Sequence, residues 1–185
     1  MKDADQTTAK RSSMDQRVST IIGYLRSTSK RDFIVIPIAV LVEQMLSRRK
    51  TRLAGLPLMA WGYLQYRISG DYRNSVGGGG PGISGPPPER LVTSGIYGLT
   101  RNPMYTGHVI FLAGLVISTS SPFALAATIG TVPWLRSRIL RDEQRLTELF
   151  GKDYEDYAAR VTRWGIGPVP NAAWSDTSSP SRHRS

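Results

Sequence analysis

Tyr97, Arg101, Asn102 and Tyr105 stand together where a polar segment runs into the longest uncharged stretch of the chain: no Asp, Glu, Lys or Arg lies between Arg101 and Arg136. Pro103 suits the first turn of a helix, where its missing N–H is no loss, and the free amides of that turn can hold a carboxylate or phosphate. Arg101 adds a fixed, forked cation, and the two tyrosines add ring faces and hydroxyls. A second constellation is Arg138-Ile-Leu-Arg-Asp-Glu-Gln-Arg-Leu146. Arg138 and Asp142 share a helix face four residues apart and can pair, while Glu143 lies further round. Carboxylates of this kind bind sugar diols. Each group also has a plainer explanation: Arg101 snorkelling, tyrosines in an interfacial belt, Pro103 as a cap, and residues 138–146 as a solvated face.

The elements that must position these residues are apolar and helical. The sequence has 185 residues, one domain's worth, and its 40% hydrophobic content and mean hydropathy of −0.24 average polar ends with a far more apolar middle. We expect an all-α integral membrane bundle of about four transmembrane helices, at residues 33–47, 53–68, 103–118 and 121–138. The second holds Gly and Pro with Trp and Tyr near one end, a mixture commoner in membrane helices. The last two are separated by Ser118-Thr-Ser-Ser-Pro122, the break of a helical hairpin. A connector over 77–102 is rich in Gly and Pro; its Gly80-Pro-Gly-Ile-Ser-Gly85 matches a dinucleotide fingerprint, but no strand precedes it and prolines follow, so the match is discarded. An amphipathic helix over 139–162, with Leu146, Leu149, Phe150, Tyr154, Tyr157 and Val161 on its apolar face, is expected to cover the pocket. Residues 1–30 read as a disordered or interfacial arm and 165–185 as a disordered tail. The domain is therefore 31–164.

Charge and composition narrow the partners. With about four spans, 20 of the 24 Lys and Arg fall on the side that carries the connector and the C-terminal helix, which makes that side cytoplasmic. Arg48, Arg49, Lys50 and Arg52 dissent, in a short loop on the other side. The net charge of +10 flanks apolar segments rather than forming a basic face, which points to an anionic lipid surface and not to nucleic acid. Without cysteine, and with only His108 and His183 as histidines, no thiolate or ordinary His metal site is expected. Residues 1–17 are polar, so no cleavable signal is expected.

Leu91-Val-Thr-Ser-Gly-Ile-Tyr97, Arg101-Asn-Pro-Met-Tyr-Thr-Gly107, Asp142-Glu-Gln-Arg-Leu146 and Phe150-Gly-Lys-Asp-Tyr-Glu-Asp-Tyr157 resemble, in order and approximate spacing, the isoprenylcysteine carboxyl methyltransferase family and its phospholipid methyltransferase relatives. The resemblance covers residues 80–164. It implies a multi-pass membrane enzyme that binds S-adenosylmethionine in a cytosolic pocket and methylates a lipophilic or lipidated acceptor. Carried over by position, the cofactor contacts are Glu89, Arg90, Leu91, Val92, Tyr97, Asp142, Glu143 and the motif Arg101, Asn102, Pro103, Met104, Tyr105 and Gly107. Arg138 falls where the family has an arginine near the acceptor. The chain departs from the family at Asn102, where the common form has His, and at Asp142, where it has Glu.

Methyl transfer from a sulfonium needs chiefly positioning. A carboxylate acceptor needs no base, whereas an amine must lose a proton, and the candidates for that task are Glu143, Asp142 or a tyrosine. The expected function is O-methylation of an isoprenylcysteine-type acid, with Arg138 and Glu143 closest to the chemistry. Alternatives are N-methylation of a phospholipid amine, an NADPH-dependent sterol-type reductase, and a non-catalytic lipid-binding protein.

Overall fold

The computed structural model describes residues 27–79 and 86–165, and these form helices joined by short turns, with no β-strand among them. The amphiphilic arm before residue 27, Gly80–Gly85 and the tail after residue 165 lie outside the described residues. Helix α1 is Ile36–Ser47, entered through a short helical turn, Thr28–Lys30, and a wider π-type turn, Arg31–Val35. Pro37 supplies no N–H to the Phe33 carbonyl, which favours that wide turn. Helix α2 is Leu56–Gly77, α3 is Pro103–Thr119, α4 is Pro122–Phe150 and α5 is Lys152–Arg160. Prolines in the first turns of α2, α3 and α4 place the missing donor where no partner exists.

Three expectations are corrected. The second helix does not stop near Ile68 but continues through Arg67, Asp71 and Arg73 to Gly77. The fourth does not end at 138; it runs 29 residues to Phe150, and Gly151, at φ 50°, breaks the expected 139–162 helix in two. Residues 28–30 are packed helix, with Thr28 buried and accepting a 3.2 Å hydrogen bond from Trp134 Nε1. Among the described residues, no helix is long and apolar enough to cross a membrane. Helix α3 is apolar but has only 17 residues, while α2 and α4 are longer and charged over their second halves.

Helices α2 and α3 make the principal contact, backbone to backbone. A Cβ on Gly107 would lie 2.6 Å from the Gly62 carbonyl oxygen, and one on Gly114 would lie 2.7 Å from that of Gly55. Two glycine pairs, seven residues apart on both strands of the contact, therefore let the helices close to a distance that no side chain permits. Around this seam pack Ile36, Val40, Phe111, Leu112, Leu115 and Ala124. Phe33 fills the space between α1 and the seam, stacking on His108 at 4.5 Å with Tyr66 at 4.9 Å. One ionic group is buried here: Asp32 is fully enclosed, with Arg31 Nε 2.8 Å away and His108 Nδ1 3.0 Å away.

Gly107→Val and Gly114→Val should each lower stability by about 1–3 kcal/mol through overpacking. Gly130→Ala should be neutral or stabilising by up to about 1 kcal/mol, because nothing lies within 4 Å of its Cβ position. Thermal unfolding of the three variants in detergent checks the contrast.

Candidate active site

Residues 86–102 are laid along the second half of α2. Glu89 and Arg90 donate their amides to the Gly77 carbonyl at 2.8 and 3.0 Å. Gly95, at φ 60°, turns the chain into the 3-10 turn Gly95–Gly98 beside Tyr72. Three residues at helical spacing hold the segment: Gln65 Nε2 donates to Pro103 O at 3.1 Å, Ser69 O accepts from Tyr97 Oη at 3.3 Å, and Tyr72 Oη meets Ser94 Oγ at 2.8 Å. From the other side, Tyr157 Oη donates to Tyr97 O at 2.7 Å and Arg101 N to Thr162 O at 2.9 Å. Tyr154, Tyr157 and Val161 pack on Leu91, Leu146 and Phe150, so α5 roofs the segment with its apolar face.

Between these layers lies a cavity of about 790 Å³, its open mouth included. Of the residues singled out in the sequence, Arg90, Leu91, Val92, Tyr97, Asn102, Pro103, Met104 and Tyr105 line it, with Arg101, Asp142 and Glu143. Three lie off its wall. The Glu89 side chain rests against Gly78, Gly107 faces Gly62 and Tyr66 in the helix seam, and Arg138 sits one turn before Asp142 with its Nε buried and unpartnered.

The adjacent carboxylates have separate surroundings. Asp142 accepts a 2.6 Å hydrogen bond from Tyr105 Oη, so its short contact is with the tyrosine and not with Arg138. Burial holds the Asp142 carboxyl above its ordinary range, against the Tyr105 hydrogen bond and the charges of Arg73, Arg138 and Arg145, which pull it down. Glu143 is gripped by Arg163, Nε at 3.0 Å and Nη2 at 2.7 Å, with Arg101 at 3.8 Å and the Asn102 amide at 3.4 Å. Asn102 also donates to Arg163 O at 3.3 Å, which ties the start of α3 to the end of the roof. Burial raises the Tyr154 phenol to about 12 and Tyr157 and Tyr97 still higher. All three are neutral hydrogen-bonding groups at physiological pH.

A family model described as phospholipid methyltransferase matches residues 52–153, more than half of the chain. The chain belongs to the phospholipid methyltransferase family. Among curated relatives, a probable protein-S-isoprenylcysteine O-methyltransferase of Oryza sativa subsp. indica is 34% identical over 73 residues, covering 39% of this chain and 38% of the relative. Protein-S-isoprenylcysteine O-methyltransferase B of Arabidopsis thaliana is 35% identical over 74 residues, 39% of this chain and 37% of the relative. The Schizosaccharomyces pombe protein-S-isoprenylcysteine O-methyltransferase is 34% identical over 82 residues, 43% of this chain and 34% of the relative. The match thus spans less than two-fifths of the length of these relatives. No solved structure matches the chain.

In this phospholipid methyltransferase family member, Leu146, Tyr154 and Tyr157, expected on the face that covers the pocket, line the cavity wall, while sequence reasoning missed Arg73 and Arg145 in that wall and Arg163 behind it. Arg73 was findable: it follows Gln65 and Ser69 at four-residue steps on one helix face. Arg163 carries no local signal, since only the return of the chain after α5 brings it to Glu143.

Glu143→Gln should cost about 1 kcal/mol, the upper end for a solvent-screened ion pair, because Arg163 keeps 38% of its side chain exposed. Faster proteolysis after α5 in limited digestion, with α1–α3 still protected, is the expected readout.

Proposed function

We propose that this protein transfers a methyl group from S-adenosylmethionine to the carboxylate of a lipophilic acceptor, an isoprenylcysteine-type acid, at the cytoplasmic face of a membrane. The observation that carries the reading is the pairing of Asp142 with Tyr105 on the cavity wall beside the start of α3. There a carboxylate suited to hydroxyl or amine donors lies next to free helix-end amides and a buried arginine whose Nε has no partner, Arg101. The donor set fits the cofactor: Asp142 for its diol or amine, Arg101 and the α3 amides for its carboxylate, and Leu91, Val92 and Leu146 for its apolar edges. When bound, the cofactor supplies an activated methyl on a sulfonium.

A carboxylate acceptor needs no base, which suits this wall: Tyr97, Tyr154 and Tyr157 are neutral, and Glu143 is engaged by Arg163. An amine would have to lose a proton to Asp142, whose carboxylate already accepts from Tyr105. Glu143 then acts as a positioning residue that holds the roof, and Arg138 as a cation that supports the ionised form of Asp142. The curated relatives bearing the isoprenylcysteine name support the same acceptor class.

Membrane placement rests on the outer faces of the helices. Ile38, Met45, Leu46, Leu53, Trp61 and Ile129 are each more than half exposed, large apolar side chains that a lipid surrounding would accommodate. The charged second halves of α2 and α4 bear the cavity, so the site opens where the apolar parts end. Anionic lipid would meet the basic residues at that boundary.

Calorimetric titration of the detergent-solubilised protein should show saturable S-adenosylmethionine binding, weakened ~10-fold or more in Tyr105→Ala and Asp142→Ala, as expected for loss of a charged hydrogen bond. Affinity should fall as pH drops through the Asp142 titration. Because burial raises that carboxyl, the loss should begin above the range of a solvated Asp, ~3.9. No binding by the folded protein would overturn the methyltransferase reading.

A further inference from the structure

The end of the bundle away from the cavity carries cations that have no task in the chemistry above. Arg48, Arg49, Lys50 and Arg52 fill the turn between α1 and α2, and all four are exposed. The 17 residues of α3 separate this end from Pro103, at the cavity, by about 25 Å. We propose that the turn is a docking site for anionic phospholipid, holding headgroup phosphates on Arg48, Lys50 and Arg52 in the leaflet opposite the cavity. The proposal rests on the membrane placement given above and is independent of methyl transfer.

Three observations support it. The first is a lack of counter-charge. No Asp or Glu lies between Glu43 and Asp71, or between Arg101 and Asp142, and Glu43 accepts from Gln44 at 3.1 Å and from Ser47 at 3.4 Å. Among the described residues, no ion pair reaches Arg48, Lys50 or Arg52. The second is a fixed frame. Arg52 N donates to Ser118 O at 2.7 Å and Arg49 Nη1 to Ser120 O at 3.5 Å, which ties the turn to the end of α3. The third is an apolar collar. Met45 and Leu46 before the turn and Leu53 after it are 72, 81 and 75% exposed, the most exposed large apolar side chains among the described residues. Cations set among such side chains match the layer where phosphates lie over acyl chains. A free phosphate would leave the collar uncovered.

The helix lengths give the turn its use. The apolar parts fall short of the ~30 Å of a hydrocarbon core. Arg and Lys stems extend that reach, lying along apolar surface with the charged head among the phosphates. The forked guanidinium also holds two phosphate oxygens at once. Helix α1 gains most, because it buries only Ile36, Val40 and Gln44, and lipid at its C-terminal end adds a contact that the protein does not supply.

The test is thermal unfolding of the full chain in a nonionic detergent, with dioleoylphosphatidylglycerol or dioleoylphosphatidylcholine added to the micelles. The midpoint with phosphatidylglycerol should exceed that with phosphatidylcholine by ~2–4 °C, the scale for weak ligand stabilisation of a chain this long. The triple variant Arg48→Gln, Lys50→Gln, Arg52→Gln should lose that excess with its phosphatidylcholine midpoint unchanged, and each single variant should lose part of it. A control triple, Arg136→Gln, Arg141→Gln, Arg160→Gln, removes the same charge from exposed positions elsewhere and should keep most of the excess. Glycerol 3-phosphate at the same concentration should raise nothing.

An excess that survives in the turn variants, or that falls equally in both triples, overturns the site. A rise with glycerol 3-phosphate equal to that with phosphatidylglycerol replaces the lipid by a free phosphate and overturns it too. Equal midpoints in the two lipids, both above that in detergent alone, defeat the docking site and leave the membrane placement standing. Midpoints lowered by both lipids defeat the placement and the site together.

Discussion

Helix α2 and the Gly55 that caps it touch α3 through their backbones, Gly55 at Gly114 and Gly62 at Gly107, and the position of the cavity-lining groups follows from that contact. Gly107 is two residues from Tyr105 on α3, and Gly62 is one turn before Gln65 on α2. Locking the glycines in register therefore locks Tyr105 against the face that carries Gln65, Ser69 and Arg73. A side chain at any of the four positions would separate the helices and carry the cavity wall away with them. Close approach also brings many weak backbone and dispersion contacts into play.

The site then depends on two neighbouring carboxylates that a helix must turn in different directions. Successive residues are about 100° apart around an α-helix. Asp142 faces Tyr105 and the cavity, while Glu143 faces Arg163, Arg101 and Asn102. One group is left at the cavity and the other fastens the roof to the floor. The grip on Glu143 also explains the tolerance of Asn at 102: an amide there donates to Glu143 and to the Arg163 carbonyl, a bridging task that needs no titrating ring.

A separate polar group lies deep in the apolar half. Asp32, Arg31 and His108 meet between α1 and α3, with Arg31 also over Trp134 at 4.9 Å. Burying such charges costs solvation, so its contribution lies in specifying how α1 docks more than in net stability. The aromatic stack of Phe33 on His108 and Tyr66 completes that docking with geometry that an all-aliphatic contact lacks.

By itself the sequence determined the helical character, the approximate place of each helix, and the polar junction at 97–105. Those features are local: apolar runs, prolines at helix starts and the charge boundary after Leu135 are all read within a few turns of chain. The motif resemblance drew attention to Asp142, Tyr105 and their neighbours before any geometry was known. Only the tertiary structure decided that α2 continues past Ile68, since charges on one face of a helix look the same as the end of an apolar segment. It also decided which glycines matter: Gly62 and Gly114 differ from Gly130 in no local respect, yet only the former pair meets another backbone. Arg73, Arg145 and Arg163 joined the site for the same reason. Their roles depend on distances between segments far apart in the chain, and those distances are set by packing, which no local pattern encodes.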